Sequence, residues 1–96
     1  MEPIAFDWDE DKAAVNFICH KVSFPFATRA FLDPERVDFD VSRAQDEEER
    51  RKTVGRIGRR LFSVVYTRRE GVLRLISARR TNRSEERIYG NRQVHA

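Results

Sequence analysis

Apolar residues recur at helical spacing close to the start of the chain. They are Ala13, Ala14, Phe17 and Ile18. Intervals of three and four residues place them on one side of a helix, and we expect that side to be buried. Asp9 stands where a helix N-cap is expected, and residues 6–9 before it are expected to be extended. The pattern therefore predicts a helix that begins after Asp9 and packs through this stripe.

A second, shorter helix is predicted directly afterwards. Ser23 is a typical N-cap residue, and Pro25 is tolerated in a first helical turn. The residues expected to face inward are Phe24, Ala27 or Thr28, and Phe31. We expect these side chains to be core residues and the helix to end at Asp33, because Pro34 follows it.

The rest of the chain alternates with a period of two, which is typical of strands. Residues 37–41 alternate apolar and acidic side chains, so a half-buried strand with an acidic outer face is expected. Further strands are expected at about residues 51–57, 60–67 and 72–79. Gly58 and Gly71 lie in the short connections and favour tight reversals. Phe62, Val64 and Tyr66 share one face of the middle strand, so the pattern predicts an antiparallel meander.

A last helix is predicted after residue 82. Asn82 and Glu85 have the spacing of a capping box, and the helix carries few apolar residues apart from Ile88 and Tyr89. The fold class is therefore α+β: a small single domain with two N-terminal helices packed on a roughly four-stranded antiparallel sheet, followed by a C-terminal helix. We expect the domain to span residues 1–92 and residues 93–96 to form a frayed tail.

Charge divides the chain into two unlike halves. Residues 1–49 hold thirteen Asp and Glu against five Lys and Arg, a net charge of −8, whereas residues 50–96 hold fourteen basic and three acidic residues, a net charge of +11. Such asymmetry is typical of a nucleic-acid surface, or of one that an acidic partner covers. The alternative is that the two halves neutralise each other on folding. The run Asp46–Glu49 is expected to be a solvated connection, with Glu49 at its end able to reach a site.

Several classes of protein are disfavoured by composition. No apolar stretch approaches membrane-spanning length and no export signal is visible, so the cytoplasm is the expected location and no membrane contact is expected. The single cysteine, Cys19, cannot form an internal disulfide. With only His20 and His95 beside it, no metal-ligand spacing is present, and no cofactor motif is visible. We expect neither a metal nor a cofactor.

RNA cleavage fits the remaining chemistry, because the ribose 2′-hydroxyl is a nucleophile already present in the substrate. The protein then has to align the attack, move protons and stabilise charge on the phosphorus. The candidate catalytic residues are His20, Arg74, Arg79, Arg80 and Tyr89. The candidate RNA-binding residues are Lys12, Lys21, Arg83 and Arg87. Arginine suits phosphate because its planar fork stays charged.

Two of these interpretations leave alternatives open. Lys12, Asn16 and His20 lie four residues apart in one polar row, which could hold a phosphate ester or be an ordinary solvated helix face. His20 is the candidate proton carrier, with a surface or core role as the alternative. Side chains alternate along a strand, so Arg79 should face away from Arg74 and Arg80 unless a bulge intervenes. At least one of the three arginines is then structural or faces a partner.

The sequence resembles the BrnT family of toxins. The resemblance runs from Phe6-Asp7-Trp8-Asp9 through Lys12, Asn16, His20, Val22-Ser23-Phe24, Glu49-Arg50, Val64-Val65-Tyr66-Thr67 and Arg74-Leu75-Ile76-Ser77-Ala78-Arg79-Arg80 to Glu86-Arg87 and Tyr89. It implies a RelE-like fold and an endoribonuclease that inhibits translation and growth. It also implies a BrnA-type antitoxin that neutralises the toxin. The complex of toxin and antitoxin would then bind operator DNA through the antitoxin.

One segment departs from the family pattern, in which lysine, histidine and glycine precede the valine. This chain has Cys19-His20-Lys21-Val22 instead. We expect the charge at this helix end to move to Lys21 and the turn to be less sharp without glycine. The competing interpretation of the whole chain is a nucleic-acid-binding or antitoxin-binding module that does not cleave.

Overall fold

The computed structural model describes residues 4–91, which form a small α+β domain with three α-helices and a five-stranded mixed sheet. The elements in chain order are β1 (Ala5–Trp8), α1 (Glu10–His20), α2 (Phe24–Ala27), a 3-10 helix (Thr28–Leu32), β2 (Val37–Asp40), β3 (Arg50–Ile57), β4 (Arg60–Arg69), β5 (Val72–Arg80) and α3 (Arg83–Asn91). The predicted tail, residues 93–96, lies outside the described residues, as does His95.

The strand order is β1-β5-β4-β3-β2, and this corrects the predicted four-stranded antiparallel sheet. The meander of β3, β4 and β5 is confirmed, with β2 antiparallel beside β3. The segment predicted only as an extended entry is a fifth strand, which pairs in parallel with β5 from Ala5 opposite Val72 to Trp8 opposite Leu75. Four residues carry too little pattern to predict a partner so distant in sequence.

The helical layer formed by α2 and the 3-10 helix covers one face of the sheet. As predicted, Ser23 caps α2 and Phe24 and Phe31 are buried, although the α-helix stops at Ala27 and continues as the 3-10 helix. The ring centroids of Phe31 and Tyr66 lie 5.1 Å apart in an edge-to-face arrangement. Burial of side chains of this size contributes about 1.5–3 kcal/mol each, so this face holds the main core.

Helix α1 does not bury the stripe that its sequence predicted. Asp9 caps it as expected, but Phe17 is 49% exposed and Ile18 is 69% exposed, and the buried residue is Asn16. Ala13 is half-buried and Ala14 is exposed. The reason is that α1 lies against the part of β5 that β1 does not pair, and it meets this part through the polar side chain of Asn16. The apolar residues do recur at helical spacing, but Phe17 and Ile18 face outward.

A β-bulge in β5 decides which way its arginines point. Val65 pairs with Ser77 and Tyr66 pairs with Leu75, which leaves Ile76 as the extra residue. Arg74 and Arg79 consequently lie opposite Thr67 and Ser63, on the face away from the main core. Arg80 lies opposite the core residue Phe62. The bulge thus reverses the alternation that we expected for Arg74 and Arg79.

Helix α3 covers part of the second face of the sheet. The predicted capping box is present, because the backbone N–H of Glu85 donates to Asn82 Oδ1 at 2.9 Å and that of Asn82 donates to Glu85 Oε1 at 3.0 Å. Glu85 and Tyr89 are buried against the sheet, whereas Ile88 is 40% exposed. The remainder of this face, around Arg74 and Thr67, is not covered by α3.

Candidate active site

Two adjoining depressions run along β5 beside α1. One has a volume of about 370 Å³ and is lined by α1 and by Ile76 and Ser77. The other, of about 270 Å³, lies over β3, β4 and β5 and under the acidic connection before β3. Lys12 and Ile76 line both of them. We treat the two as one groove and call it the β5 groove.

The α1 side of the β5 groove carries the polar row predicted from the sequence. Lys12, Asn16 and His20 all line it. Lys12 and His20 are exposed at its rim, while Asn16 is only 6% exposed beneath them. The helix start is held because Asp9 Oδ1 accepts the N–H groups of Asp11 and Lys12 at 2.9 and 3.1 Å.

Asn16 binds α1 to the part of β5 that follows the residues paired with β1. Its Nδ2 donates to the carbonyl oxygens of Ala78 and Val22, each at 2.9 Å, and its Oδ1 accepts the N–H of Ala78 at 3.0 Å. The amide therefore bonds the Ala78 backbone as a neighbouring strand would. Because these bonds are buried, they fix the position of Lys12 and His20 relative to β5.

The sheet side of the β5 groove presents Arg50, Arg69 and Arg74 around Thr67. The nearest carboxylate to Arg74 is Asp7, at 3.2 Å from its Nη1, and the parallel pairing of β1 places Asp7 directly opposite. The Arg74 side chain is 33% exposed. One edge of the Arg74 guanidinium therefore pairs with Asp7, and the side chain still faces the groove.

The acidic connection is not simply solvated, which corrects the sequence expectation. Asp46 and Glu48 turn back over the β5 groove, where Asp46 lies 3.4 Å from Arg50 and Glu48 bonds Arg69. The hydrogen bond from Arg69 holds the pKa of Glu48 below its usual value. Glu49, which we expected could reach a site, is exposed and lies 3.5 Å from Arg51. Carboxylates of the chain thus occupy positions where phosphate oxygens would meet the same arginines.

Arg79 is bound to α3 on the same face of the sheet. Its Nη1 and Nη2 donate to Glu85 Oε1 and Oε2 at 2.9 and 2.8 Å, and Lys52 Nζ donates to the same carboxylate at 2.8 Å. Burial would raise the pKa of Glu85, but the bonds from Arg79, Lys52 and the Asn82 backbone outweigh it and lower the pKa to about 2. Arg79 therefore anchors α3.

The three arginines predicted to clamp one phosphate do not converge, which corrects that expectation. Arg74 lines the β5 groove, Arg79 holds Glu85, and Arg80 lies on the other face of β5 in a separate depression. The bulge and the capping box cause this separation. Tyr89 is 3% exposed, and its hydroxyl donates to Asp33 Oδ2 at 2.6 Å, so the phenol ties α3 to the end of the 3-10 helix.

A family model described as the ribonuclease toxin BrnT of type II toxin–antitoxin systems matches residues 8–85. The chain belongs to the BrnT family. The match spans α1, the sheet from β2 to β5 and the capping box of α3. No curated protein matches the sequence. BrnT family proteins are ribonuclease toxins, and a type II system pairs the toxin with a protein antitoxin. The RelE-like fold stays a prediction.

The remaining candidate residues of this BrnT family member lie on the surface. Arg83 and Arg87 are exposed on α3. Lys21 is exposed at the end of α1 in the left-handed conformation, with φ of 59°. Its N–H donates to Phe17 O at 2.8 Å, so the chain makes the turn that glycine favours with a lysine.

Two important residues were missed or misinterpreted from the sequence. Asn16 was interpreted as part of a phosphate-binding or solvated row, and no local signal indicates that it bonds a strand 62 positions away. Glu85 was identified only as a capping residue. The capping box does indicate that its carboxylate turns back toward the chain, but the partners Lys52 and Arg79 come from two different strands.

Residues 4–91 contain no group of three or more His, Cys, Asp or Glu side chains placed to hold a metal ion. In the same range, no helix is long and apolar enough to cross a membrane.

Proposed function

We propose that this chain is a metal-independent endoribonuclease that cleaves RNA bound in the β5 groove. The observation that supports this most directly is that Lys12, His20 and Arg74 line one groove although they come from α1 and β5. A cation from a helix, a guanidinium from a strand and an imidazole supply charge and proton transfer around one phosphodiester.

The proposed reaction uses the ribose 2′-hydroxyl as the nucleophile. Its oxygen attacks the adjacent phosphorus while its proton passes to His20, and the bond from phosphorus to the 5′-oxygen breaks. The leaving oxygen takes up a proton from solvent water, and the products are a 2′,3′-cyclic phosphate and a 5′-hydroxyl. Arg74 and Lys12 stabilise the charge on the phosphorane oxygens. Histidine suits the proton transfer because its charge changes nearest neutral pH.

The other candidate residues take supporting roles in this proposal. Arg79 acts as a positioning residue through Glu85, and Tyr89 holds α3 through Asp33. Lys21, Arg83 and Arg87 are exposed cations that contact RNA phosphates outside the reacting centre. This assignment agrees with the expectation that at least one of the strand arginines is structural.

The proposed partner is a BrnA-type antitoxin. Membership of a type II toxin family supports a protein antitoxin, and we propose that the chain reaches operator DNA only through that partner. Co-expression with the antitoxin should restore growth. Operator binding should be absent for this chain alone and present for the pair.

A second candidate function, binding without cleavage, is favoured by a specific observation. Each arginine of the groove already has a carboxylate partner: Arg50, Arg69 and Arg74. This is expected if the groove only replaces these carboxylates with the phosphates of a bound nucleic acid. Such a module would bind RNA and DNA alike with a strong salt dependence. A nuclease using the 2′-hydroxyl would bind both and cut only RNA.

The deciding experiment compares the purified chain with Arg74→Ala and His20→Ala on a labelled RNA. Losing a stabilising donor should lower kcat about 10²–10³-fold, and losing the proton carrier about 10²–10⁴-fold. Arg68→Ala is the matched control, because Arg68 is exposed between Thr67 and Arg69 on β4 but lines neither part of the groove. Activity should persist in chelator and leave a 2′,3′-cyclic end. A folded parent chain that binds RNA without cutting it would establish the binding module instead.

A further inference from the structure

Four arginines surround a depression at the opposite end of β5 from Arg74. Arg56, Arg59, Arg60 and Arg80 line a space of about 260 Å³, together with Leu61, Thr81 and Glu86. We call these four arginines the terminal arginine cluster. They come from β3, the β3–β4 turn, β4 and β5, and all four are exposed.

The guanidinium groups of the cluster have no carboxylate partner within the described part of the chain. Among residues 4–91, none of the four forms an ion pair, whereas Arg51, Arg74 and Arg79 each pair with an Asp or Glu. The one carboxylate at the depression, Glu86, instead accepts a hydrogen bond from the Thr81 hydroxyl at 3.1 Å. Of the other sheet arginines in residues 4–91, only Arg68 is also unpaired, so this group concentrates positive charge at one end of the sheet.

The backbone places the cluster on well-defined supports. Gly58, with φ of 62°, and Arg59 form the two-residue turn that brings Arg60 opposite Ile57. Arg80 is fixed opposite Phe62, and the Arg56 guanidinium lies over the Tyr89 ring at 5.7 Å. Side chains that project from paired strands lose less freedom on binding than side chains on a mobile loop.

We propose that the terminal arginine cluster binds backbone phosphates of the RNA strand whose reacting phosphate lies in the β5 groove. This inference rests on the proposed function for the identity of the ligand. Arg74 and Arg80 lie six residues apart on β5, which is about 20 Å of strand. Because Arg80 faces the opposite side of β5 from Arg74, a single RNA strand of several nucleotides reaches both places by passing around the end of that strand.

The charge pattern favours RNA over an acidic protein segment as the occupant. The cluster contains only arginine, whose fork matches two phosphate oxygens at once. The depression adds only one leucine as apolar lining, so it offers little surface for the anchors that protein interfaces use. An acidic segment remains an outcome that the experiment distinguishes.

The test measures binding of uncleavable RNA, so its result does not depend on catalysis. The probes are 2′-O-methyl oligonucleotides of about three and about ten nucleotides, of which only the longer falls within the site sizes of about 4–16 nucleotides typical of single-strand binders. The proteins are the full chain and its Arg59→Ala, Arg60→Ala and Arg68→Ala variants. Arg68→Ala removes the same charge from an exposed site away from the cluster.

The cluster variants should bind the longer RNA about three- to tenfold more weakly near 0.1 M salt. Each should also reduce the salt slope by about 0.7, as expected for one lost phosphate contact. Binding of the short RNA should stay within about twofold, and Arg68→Ala should match the parent for both probes. Glu86→Gln should strengthen binding of the longer RNA, since it removes the carboxylate at the depression.

Three results would overturn the proposal. The cluster variants could match Arg68→Ala on the longer RNA, or could weaken both RNAs equally, which would place them in the groove. They could also leave RNA binding unchanged and weaken only the complex with the antitoxin, which would assign the cluster to a protein segment. If the parent chain binds the longer RNA through the cluster but never cleaves it, the proposed function fails and the binding site stands.

Discussion

Arg79 and Glu85 face each other through two parallel hydrogen bonds of 2.9 and 2.8 Å, with the Glu85 side chain only 4% exposed. Lys52 and the hydroxyl of Ser63 bond the same carboxylate. One anion thus compensates two buried or half-buried cations and also caps α3. This carboxylate joins α3 to residues of β3, β4 and β5.

Glu85→Gln should destabilise the protein severely. It leaves the charges of Arg79 and Lys52 without compensation, and breaking one side of a buried pair costs about 3–5 kcal/mol. Urea unfolding followed by circular dichroism measures the change in the free energy of unfolding. Glu86→Gln, on the exposed side of the same helix, is the control and should change it by less than about 0.5 kcal/mol. Equal stability of the two variants would contradict the network.

Acid should remove the same stabilisation. The pKa of Glu85 is lowered to about 2 from an ordinary value of 4.5, so the folded state binds this proton less readily than the unfolded state. The contribution, about 3 kcal/mol, is fully present above pH 4.5 and is lost as the pH falls toward 2. Unfolding free energies measured across this window should fall less steeply for Glu85→Gln than for the parent. Parallel pH profiles would exclude Glu85 as the titrating group.

Asn16→Ala should loosen α1 from the sheet. The change leaves the N–H and C=O of Ala78 and the C=O of Val22 without their buried partner, which should cost about 2–3 kcal/mol. Amide hydrogen exchange should show faster exchange at Ala78. Val15→Ala, one position earlier and 58% exposed, is the control and should leave that amide protected. Unchanged protection in Asn16→Ala would mean that the helix is held by other contacts.

Two glycines should respond to alanine with opposite signs. A Cβ on Gly55 would overlap the carbonyl oxygen of Ala30, so backbone must move and the loss should be about 1–3 kcal/mol. A Cβ on Gly90, in α3, meets open space and should stabilise the helix by up to about 1 kcal/mol. Thermal melts of the two variants test this directly. A stable Gly55→Ala would show that the 3-10 helix does not approach the sheet so closely.

Glu48→Gln should strengthen RNA binding in the β5 groove. It removes the carboxylate that bonds Arg69, and an exposed pair of this kind is worth little, so the gain should be about two- to fivefold. Filter binding of uncleavable RNA measures it. Glu47→Gln is a suitable control because it removes the same charge from the same connection, and within residues 4–91 Glu47 forms no ion pair. Equal gains from both variants would indicate a general charge effect.

Elements with strong local signals were predicted well from the sequence. The meander, the Ser23 and Asp9 caps and the Asn82–Glu85 capping box all depend on residues within a few positions of each other. These elements are determined by alternation, capping and turn geometry, which can be identified from neighbouring residues.

Features that depend on distant partners could not be predicted in this way. The parallel pairing of Ala5 with Val72 and the bonds between Asn16 and Ala78 join the two ends of the chain. No sequence pattern indicates the bulge at Ile76, yet this bulge places Arg74 and Arg79 on the same face of the sheet. The sequence therefore indicated which residues carry charge, and tertiary contacts decided which of them meet.

The long separation between α1 and β5 also affects when the groove can form during synthesis. Asn16 cannot form its hydrogen bonds until Ala78, 62 positions later, has been synthesised. Because ribosomes add about 5–20 residues per second, this delay is about 3–12 s. Until the last strand is made, α1 has no edge to bind and Lys12 and His20 have no arginine beside them. A partly translated chain therefore contains Lys12 and His20 before the groove that they line exists.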